Sequence, residues 1–242
     1  MANRNAEIGM DVERLFKNSF DDLSVIAAIK NRFGISGAFA KAFPGGKEGG
    51  KSDVLLRFAD RTLSANIKAF LAGFNQITRM TINSFCSQFG LQDLRSILEK
   101  GAIRVASRSG RFILESDEPL IHESLTPIAK AILEYSLSRL ENPELLVLYD
   151  RANNRMLLYD MREMLDNLDY EISFSKRGII RIGRFFTIQR KGGNGVHSLH
   201  IEKTSLLHPG NNLQVKMNIR AFVKLTEPFF VYQPARGSKK RI

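Results

Sequence analysis

The sequence predicts a mixed α/β fold with two sheet-forming regions, one within residues 53–115 and the other within residues 145–232. Short apolar runs bounded by turn residues indicate the strands, and longer segments with apolar residues at helical spacings separate them. With 242 residues and a 43% hydrophobic composition, the chain can form one large domain or two smaller units. We expect a catalytic region at 1–120 and a recognition region at 121–242, either as two units or within one continuous globular unit.

The charge balance favours a polyanionic partner. Lys and Arg number 36 against 25 Asp and Glu, a formal charge of +11. Such an excess is typical of proteins that bind nucleic acid, although a basic surface without a partner gives the same count. A single cysteine, Cys86, excludes an internal disulfide framework and indicates a reducing cytoplasm. With no apolar run of the ~18 residues that span a membrane and no signal-peptide core, we expect a soluble protein that is not secreted.

The first half of the chain predicts helices around a hairpin. Apolar spacings over residues 8–33 predict two short helices that break near Asp21 and Asp22. The glycine-rich segment 44–51 predicts a loop that leads into a hairpin, with strands at 54–58 and 63–69. Further on, the apolar spacing predicts a helix at 75–100 and two short strands within 102–115.

The second half predicts a further set of strands. A helix is expected from Ser124 or Thr126 to about Leu140, followed by a strand at 145–149 and a helix at 155–168. Residues 171–175 alternate as a strand, a turn follows at 176–178, and 179–189 returns as one long strand. The last clear strand covers 213–219.

The predicted hairpin brings residues with catalytic chemistry together. Asp53 begins one strand and Asn66 lies near the end of its neighbour, so the two are side by side. Because side chains alternate along a strand, Asn66 and Lys68 share one face and Ile67 enters the core. The Asp53 carboxylate, the Asn66 amide oxygen and the Ile67 carbonyl are hard oxygen ligands of the kind that Mg²⁺ prefers, and the lysine can orient a water. The spacing alone favours a plainer interpretation, with a turn aspartate, a hydrogen-bonded asparagine and a solvated lysine.

The arrangement S-D-x(12)-N-x-K resembles the active-site motif of the PD-(D/E)xK nuclease superfamily. An amide in place of the second acid is a mark of a small group of type II restriction endonucleases, the MspI and HinP-type enzymes. The segments GKSDVLLRF and SANIKAF resemble the MspI-type motif region. GFNQI at 73–77 and GRFFTIQRKGGNG at 183–195 resemble segments of the HinP-type enzymes, and LQVK at 213–216 resembles a late strand of the same group. The similarity covers about a third of the chain, and none is evident at 100–170.

The resemblance implies a nuclease core, with a central mixed β-sheet flanked by helices, and a second β-rich recognition region. It implies that Asp53 binds the metal, that Asn66 takes the second ligand position and that Lys68 is the catalytic lysine. Glu13 matches a glutamate of the family's first helix, although an exposed helical glutamate fits the position equally well. Because Asn66 lacks a carboxylate, the expected cofactor is Mg²⁺ at one main, water-rich site.

The substrate implied by the resemblance is double-stranded DNA with a short palindromic site centred on CG, GCGC being the first choice. It further implies a monomer that nicks the two strands in turn, with a cognate DNA methyltransferase as its genetic partner in a restriction-modification system.

The strand that ends near Lys191 is the predicted reader of DNA. Thr187, Gln189 and Lys191 lie on one face of it, and Arg or Lys suits guanine whereas Gln suits adenine. The predicted base-reading residues are Arg184, Gln189, Arg190 and Lys191, with Lys176 and Arg177 on the preceding turn. Lys176, Arg177 and Arg190 would serve equally well as phosphate contacts. Further candidates are Phe74, Asn75 and Gln76, which follow the catalytic strand, and Ser52 and Lys216, which lie in the matched segments.

Two other functions fit the same features. A structure-specific or mismatch-specific nicking or repair nuclease would share the active site but not the short matched target. A non-catalytic DNA-binding protein would share the charge, but it has no use for a positioned aspartate, asparagine and lysine. Arg104, Arg108 and Arg111 form a basic cluster that either protein could use.

Overall fold

The computed structural model describes residues 4–45, 53–71, 73–138, 144–193 and 200–234. The chain divides into two compact units. One is formed by Met1–Gly73, Leu137–Asn167 and Val223–Ile242, and the other by Phe74–Ser136 and Leu168–Phe222. We call them the first and the second unit. Each takes segments from both halves of the chain, so the units do not follow the expected division at residue 120.

The elements are numbered in chain order. The helices are α1 (Arg4–Asn18), α2 (Leu23–Phe33), α3 (Ile82–Phe89), α4 (Arg95–Ala106), α5 (Glu118–Leu125), α6 (Ala129–Ser138), α7 (Met161–Asp166) and α8 (Ile219–Leu225). The strands are β1 (Phe39–Pro44), β2 (Val54–Phe58), β3 (Thr62–Phe70), β4 (Phe74–Met80), β5 (Leu145–Asp150), β6 (Arg155–Asp160), β7 (Ile172–Phe174), β8 (Ile180–Ile182), β9 (Phe186–Arg190), β10 (Leu213–Asn218) and β11 (Phe230–Tyr232).

The first unit contains a six-stranded mixed sheet in the order β1-β2-β3-β5-β6-β11. The pair β3–β5 is parallel and the other neighbours are antiparallel. A parallel pair needs a long crossover connection, and α3 to α6 all lie in the sequence between β3 and β5. Strand β5 is buried along its whole length, as expected for a central strand covered on both faces.

The two N-terminal helices supply one side of the core of the first unit. Val12 and Phe16, one turn apart on α1, belong to the same buried cluster as Val25 and Ile29 of α2 and Ile67 of β3. The predicted break between the helices is confirmed at Asp22, because its side chain caps α2 by accepting a hydrogen bond from the Ser24 amide at 2.9 Å.

The second unit contains a five-stranded antiparallel sheet in the order β4-β10-β9-β8-β7. Alternate residues of the strands are buried, among them Val215, Ile188, Ile180 and Ile182. The residues between them are polar and at least partly exposed for most of the sheet, so the sheet has an apolar face and a polar face.

The predicted helix at 75–100 is wrong over its first part, because residues 74–80 form β4. The pairing of β4 with β10 supplies its hydrogen bonds from residues more than 130 positions away in the sequence. This pairing contains an irregularity between Val215 and Lys216, where Val215 faces Thr78 and Lys216 faces Gln76, so Ile77 is an extra residue. The remainder of the prediction is confirmed by α3 and α4.

Two further predictions of secondary structure are wrong. Residues 102–115 do not form strands: α4 continues to Ala106, and the irregular chain after it has a left-handed residue at Arg108, with φ of 59°. The segment 155–168 is not one helix, because β6 occupies 155–160 next to β5. Asp160 then caps α7, accepting hydrogen bonds from the amides of Arg162 and Glu163.

The predicted long strand at 179–189 is divided into β8 and β9 by a turn. Gly183 adopts φ of 53°, and a Cβ atom at this position would lie 2.0 Å from the Asp169 carbonyl oxygen. A side chain would not fit at this position, so the glycine allows the chain to reverse here. Across the segments that the structure describes, no helix has both the length and the apolar character needed to cross a membrane.

Candidate active site

Asp53 immediately precedes β2. Its side chain takes the place of a backbone acceptor of the sheet. The Asp53 amide donates to the Ala65 carbonyl at 2.8 Å, which continues the β2–β3 ladder. The next amide of β3 that faces this strand, that of Ile67, donates to Asp53 Oδ2 at 2.6 Å. The carboxylate is thereby fixed in position against the edge of β3.

The Lys68 ammonium contacts two oxygen atoms of this site. Its Nζ lies 3.3 Å from Asp53 Oδ2 and 2.9 Å from the Ile67 carbonyl oxygen. The Asp53 side chain is 27% exposed and that of Lys68 is 20% exposed. Asp53 and Lys68, two of the three side chains predicted to converge with Asn66, therefore meet in the structure together with the Ile67 carbonyl, in a partly buried position that solvent can reach.

Asn66 is fully buried beside them. Its Nδ2 donates to the Leu137 carbonyl oxygen at 2.7 Å, at the end of α6. Its Oδ1 has no hydrogen-bond partner among the described residues. A buried amide oxygen without a partner costs free energy, so such an atom calls for an explanation by a ligand or a role at the site.

Glu13, on α1, is coupled to the same charges. Burial raises the pKa of the Glu13 carboxyl above its ordinary value of 4.5, and the Asp53 carboxylate adds to the rise. The ammonium groups of Lys68 and Lys17 oppose it. A carboxyl group with a raised pKa beside a second carboxylate is a common feature of functional sites.

The donor atoms of this site suit a hard cation. Asp53, the Ile67 carbonyl and Asn66 Oδ1 offer oxygen only, which is the ligand set of Mg²⁺. In the described part of the chain, no group of three or more His, Cys, Asp or Glu side chains is placed to hold a metal ion. Oxygen atoms of this kind are the ligands that Mg²⁺ takes when it retains most of its water.

One buried carboxylate near this sheet edge belongs to the scaffold. Asp150, at the end of β5, is 4% exposed. Burial opposes ionisation of this carboxyl, but hydrogen bonds from Asn153 and Arg155 prevail and hold its pKa below the ordinary value. It accepts further hydrogen bonds from the amides of Ala152 and Asn153, so it fixes the turn between β5 and β6.

The predicted DNA-binding residues, apart from Ser52, all lie in the second unit. Phe74, Gln76, Lys176, Arg177 and Arg184 are exposed. Asn75, Gln189, Lys191 and Lys216 are partly exposed, and Ser52 lies outside the described residues. Phe74 is 46% exposed and is not a core residue, and the Lys216 ammonium lies 5.7 Å from the centre of its ring. Both residues lie on the polar face of the sheet.

Arg190 differs from the other candidates. Its Nε donates to Asn211 Oδ1 at 2.6 Å, and burial lowers the pKa of its guanidinium. Asn211 is itself buried and donates to the carbonyls of Lys203 and Ser205. Arg190 thus helps to hold the segment before β10 in place, a role that the sequence does not indicate.

The basic cluster of Arg104, Arg108 and Arg111 also serves the scaffold in part. Arg104 donates to the carbonyls of Arg111 and Phe112, at 3.2 and 3.0 Å. Arg111 forms ion pairs with Glu115 and Glu118. Arg108 is exposed and remains the member of this cluster that can meet a partner.

Comparison with known proteins identifies the fold. No protein-family model matches the sequence, and no curated protein matches it. The structure is similar to the crystal structure of restriction endonuclease MspI in complex with its cognate DNA, with a TM-score of 0.50, 10% sequence identity and coverage of 86% of this chain and 83% of that chain. The chain therefore has the mixed α/β fold of a restriction endonuclease, a mixed sheet flanked by helices.

Proposed function

We propose that this protein is a Mg²⁺-dependent type II restriction endonuclease that hydrolyses phosphodiester bonds of double-stranded DNA at a short palindromic site. The observation that carries the proposal is the convergence of Asp53, the Ile67 carbonyl and Lys68 at the edge of β3, within a restriction-endonuclease fold. The first target to test is GCGC. A cognate DNA methyltransferase as genetic partner and action as a monomer belong to the same proposal.

Each residue of the site has a defined part in this reaction. Asp53, the Ile67 carbonyl and Asn66 Oδ1 would hold the metal, which supplies Lewis-acid stabilisation of charge on the phosphate when bound. The Lys68 ammonium positions the attacking water and stabilises the negative charge that develops on the phosphoryl oxygens. A bond then forms between the water oxygen and phosphorus as the water releases a proton to solvent. One bridging phosphorus–oxygen bond breaks, and the leaving oxygen takes up a proton from solvent.

The testing experiment is digestion of a plasmid of known sequence, with Mg²⁺ or with EDTA, followed by sequencing of the fragment ends. Discrete fragments that require Mg²⁺ support the proposal and give the site and stagger. Duplex binding without any cleavage would instead support a non-catalytic DNA-binding protein, and cuts only at mismatches or distorted DNA would support a repair nuclease.

Asp53→Ala and Lys68→Ala are each expected to slow cleavage by a factor on the order of 10³, because each removes charge that acts in the transition state. Duplex binding should persist in both variants, as measured by gel shift in EDTA. If both variants still cut at the rate of the unaltered protein, the assignment of the active site is wrong.

A further inference from the structure

The polar face of the five-stranded sheet carries a continuous row of side chains across four strands. Gln76 of β4 lies opposite Lys216 of β10, Lys216 lies opposite Thr187 of β9, and Thr187 lies opposite Arg181 of β8. Residues that face each other in an antiparallel sheet project on the same side. We call these four residues the polar row.

A second line of side chains runs beside the polar row. Arg79 of β4 lies opposite Gln214 of β10, which lies opposite Gln189 of β9. The irregularity at Ile77 places Arg79 and Gln76 on the same face although they are three positions apart. Arg79, Gln76 and Arg181 are exposed, whereas Gln214 is buried and donates to the carbonyls of Arg190 and Lys191.

The polar row and its exposed neighbour Arg79 carry positive charge only. These five residues include three cations, Lys216, Arg181 and Arg79, and no carboxylate. Neighbouring strands are about 4.8 Å apart, so the polar row spans roughly 14 Å from β4 to β8. That span is close to the ~12 Å width of the DNA major groove, so cations at separate strands can meet phosphates along a duplex.

We propose that the polar face of this sheet docks against a DNA duplex, with Arg181 and Arg79 as phosphate contacts that flank Lys216. This inference rests on the proposed function and deepens it by assigning the duplex-binding surface. Exposed guanidinium groups on a sheet can hold phosphate oxygens bidentately. Little side-chain entropy is lost per hydrogen bond because the planar guanidinium is pre-organised. Such contacts set the position of the duplex and carry no sequence information of their own.

The test measures binding of a fluorescent 20-base-pair duplex by anisotropy, in EDTA, over a series of KCl concentrations. Arg181→Ala and Arg79→Ala should each weaken binding of all duplex sequences alike and reduce the slope of log K against log[salt] by about 1. The double variant should reduce it by about 2.

A control variant tests whether the loss depends on the position of the charge. Arg162→Ala removes the same charge from α7 in the first unit, where the side chain is 93% exposed, and should leave the slope unchanged.

The outcomes distinguish this surface from the proposed function. Unchanged slopes for Arg181→Ala and Arg79→Ala, or an equal loss in Arg162→Ala, would overturn the surface and leave the nuclease proposal standing. Duplex binding that depends on both arginines, without any cleavage, would support the surface and overturn the nuclease. Failure of the unaltered protein to bind any duplex would overturn both.

Discussion

The Lys68 ammonium lies against two of the oxygen atoms that the proposed function assigns to a divalent cation. Asp53 Oδ2 and the Ile67 carbonyl both accept hydrogen bonds from it. A metal that binds these oxygens must therefore displace the ammonium or share the carboxylate with it. The metal affinity of the free protein is expected to be reduced by this competition.

Lys68→Met removes the competing cation and retains a side chain of similar length. We expect Mn²⁺, used as a spectroscopic substitute for Mg²⁺, to bind about 3- to 10-fold more tightly to this variant by electron paramagnetic resonance. Lys17→Met is the matched control, because Lys17 acts on Glu13 only at a distance. Equal or weaker Mn²⁺ binding by Lys68→Met would show that the ammonium does not compete.

Glu13→Gln tests the electrostatics of α1. The folded-state pKa of Glu13 is raised, so the unfolded chain ionises first as the pH rises from about 4.5, and wild-type stability falls through that window. Glutamine has no ionisable group, so the free energy of unfolding of Glu13→Gln does not fall for this reason as the pH rises. In EDTA, urea unfolding should show no difference between the two proteins below pH 4.5 and a higher free energy of unfolding for Glu13→Gln at neutral pH. A difference that is the same at every pH would contradict this assignment.

The sequence predicts much of the geometry of the candidate active site because the residues that form it are close together in the chain. A hairpin between Asp53 and Lys68 is enough to bring both side chains and the Ile67 carbonyl together. The hydrogen bond from Asn66 to the Leu137 carbonyl joins residues 71 positions apart, and no local pattern encodes it. The role of Arg190 is unpredictable for the same reason, since Asn211 comes from a separate segment.

At the scale of the element, the bulge in β4 explains why this strand does not show the alternating pattern that predicts a strand. With Ile77 as an extra residue, Ile77 and Thr78 are both buried, whereas Gln76 and Arg79 are both exposed. In the sequence, Ile77 and Met80 are three positions apart, a spacing that fits one face of a helix, and this apolar spacing predicts a helix where the structure has β4. Strands β2, β5 and β10 keep a simple pattern and are predicted to within a residue or two.

The turn between β7 and β8 depends on one glycine. Gly178 adopts φ of +69°, and a Cβ atom there would lie 2.2 Å from the Ile113 carbonyl oxygen. Gly178→Ala is expected to destabilise the protein by about 2 kcal/mol or more, measured by urea unfolding. Gly9→Ala is the matched control: Gly9 lies within α1 with open space around it, so alanine should stabilise by up to ~1 kcal/mol. Similar stability of Gly178→Ala and wild type would show that the turn can relax.

At the scale of the whole molecule, the two units carry different candidate chemistry. Asp53, Asn66, Lys68 and Glu13 belong to the first unit, and the described DNA-binding candidates belong to the second. The sequence predicts a catalytic region before a recognition region, whereas each compact unit is assembled from segments of both halves of the chain. Substitutions in the two units should therefore affect different steps.

Gln189→Ala probes the recognition step. If Gln189 reads a base edge, the variant should lose about 1–3 kcal/mol of discrimination between the preferred site and a site with one base changed, measured as the ratio of kcat/KM values. Its maximal rate should remain far above that of Asp53→Ala. An equal loss on both sites would make Gln189 a general contact.

The Lys68 ammonium also affects the stability of the protein when it is stored without divalent metal. A site built from several carboxylates loses stability when a chelator removes its metal, because the like charges then face each other. Here Asp53 has a counter-ion that is covalently part of the chain and cannot be dialysed away. We therefore expect the hairpin of β2 and β3 to stay folded after divalent ions are removed. The protein could then be stored inactive in chelator and activated by adding metal.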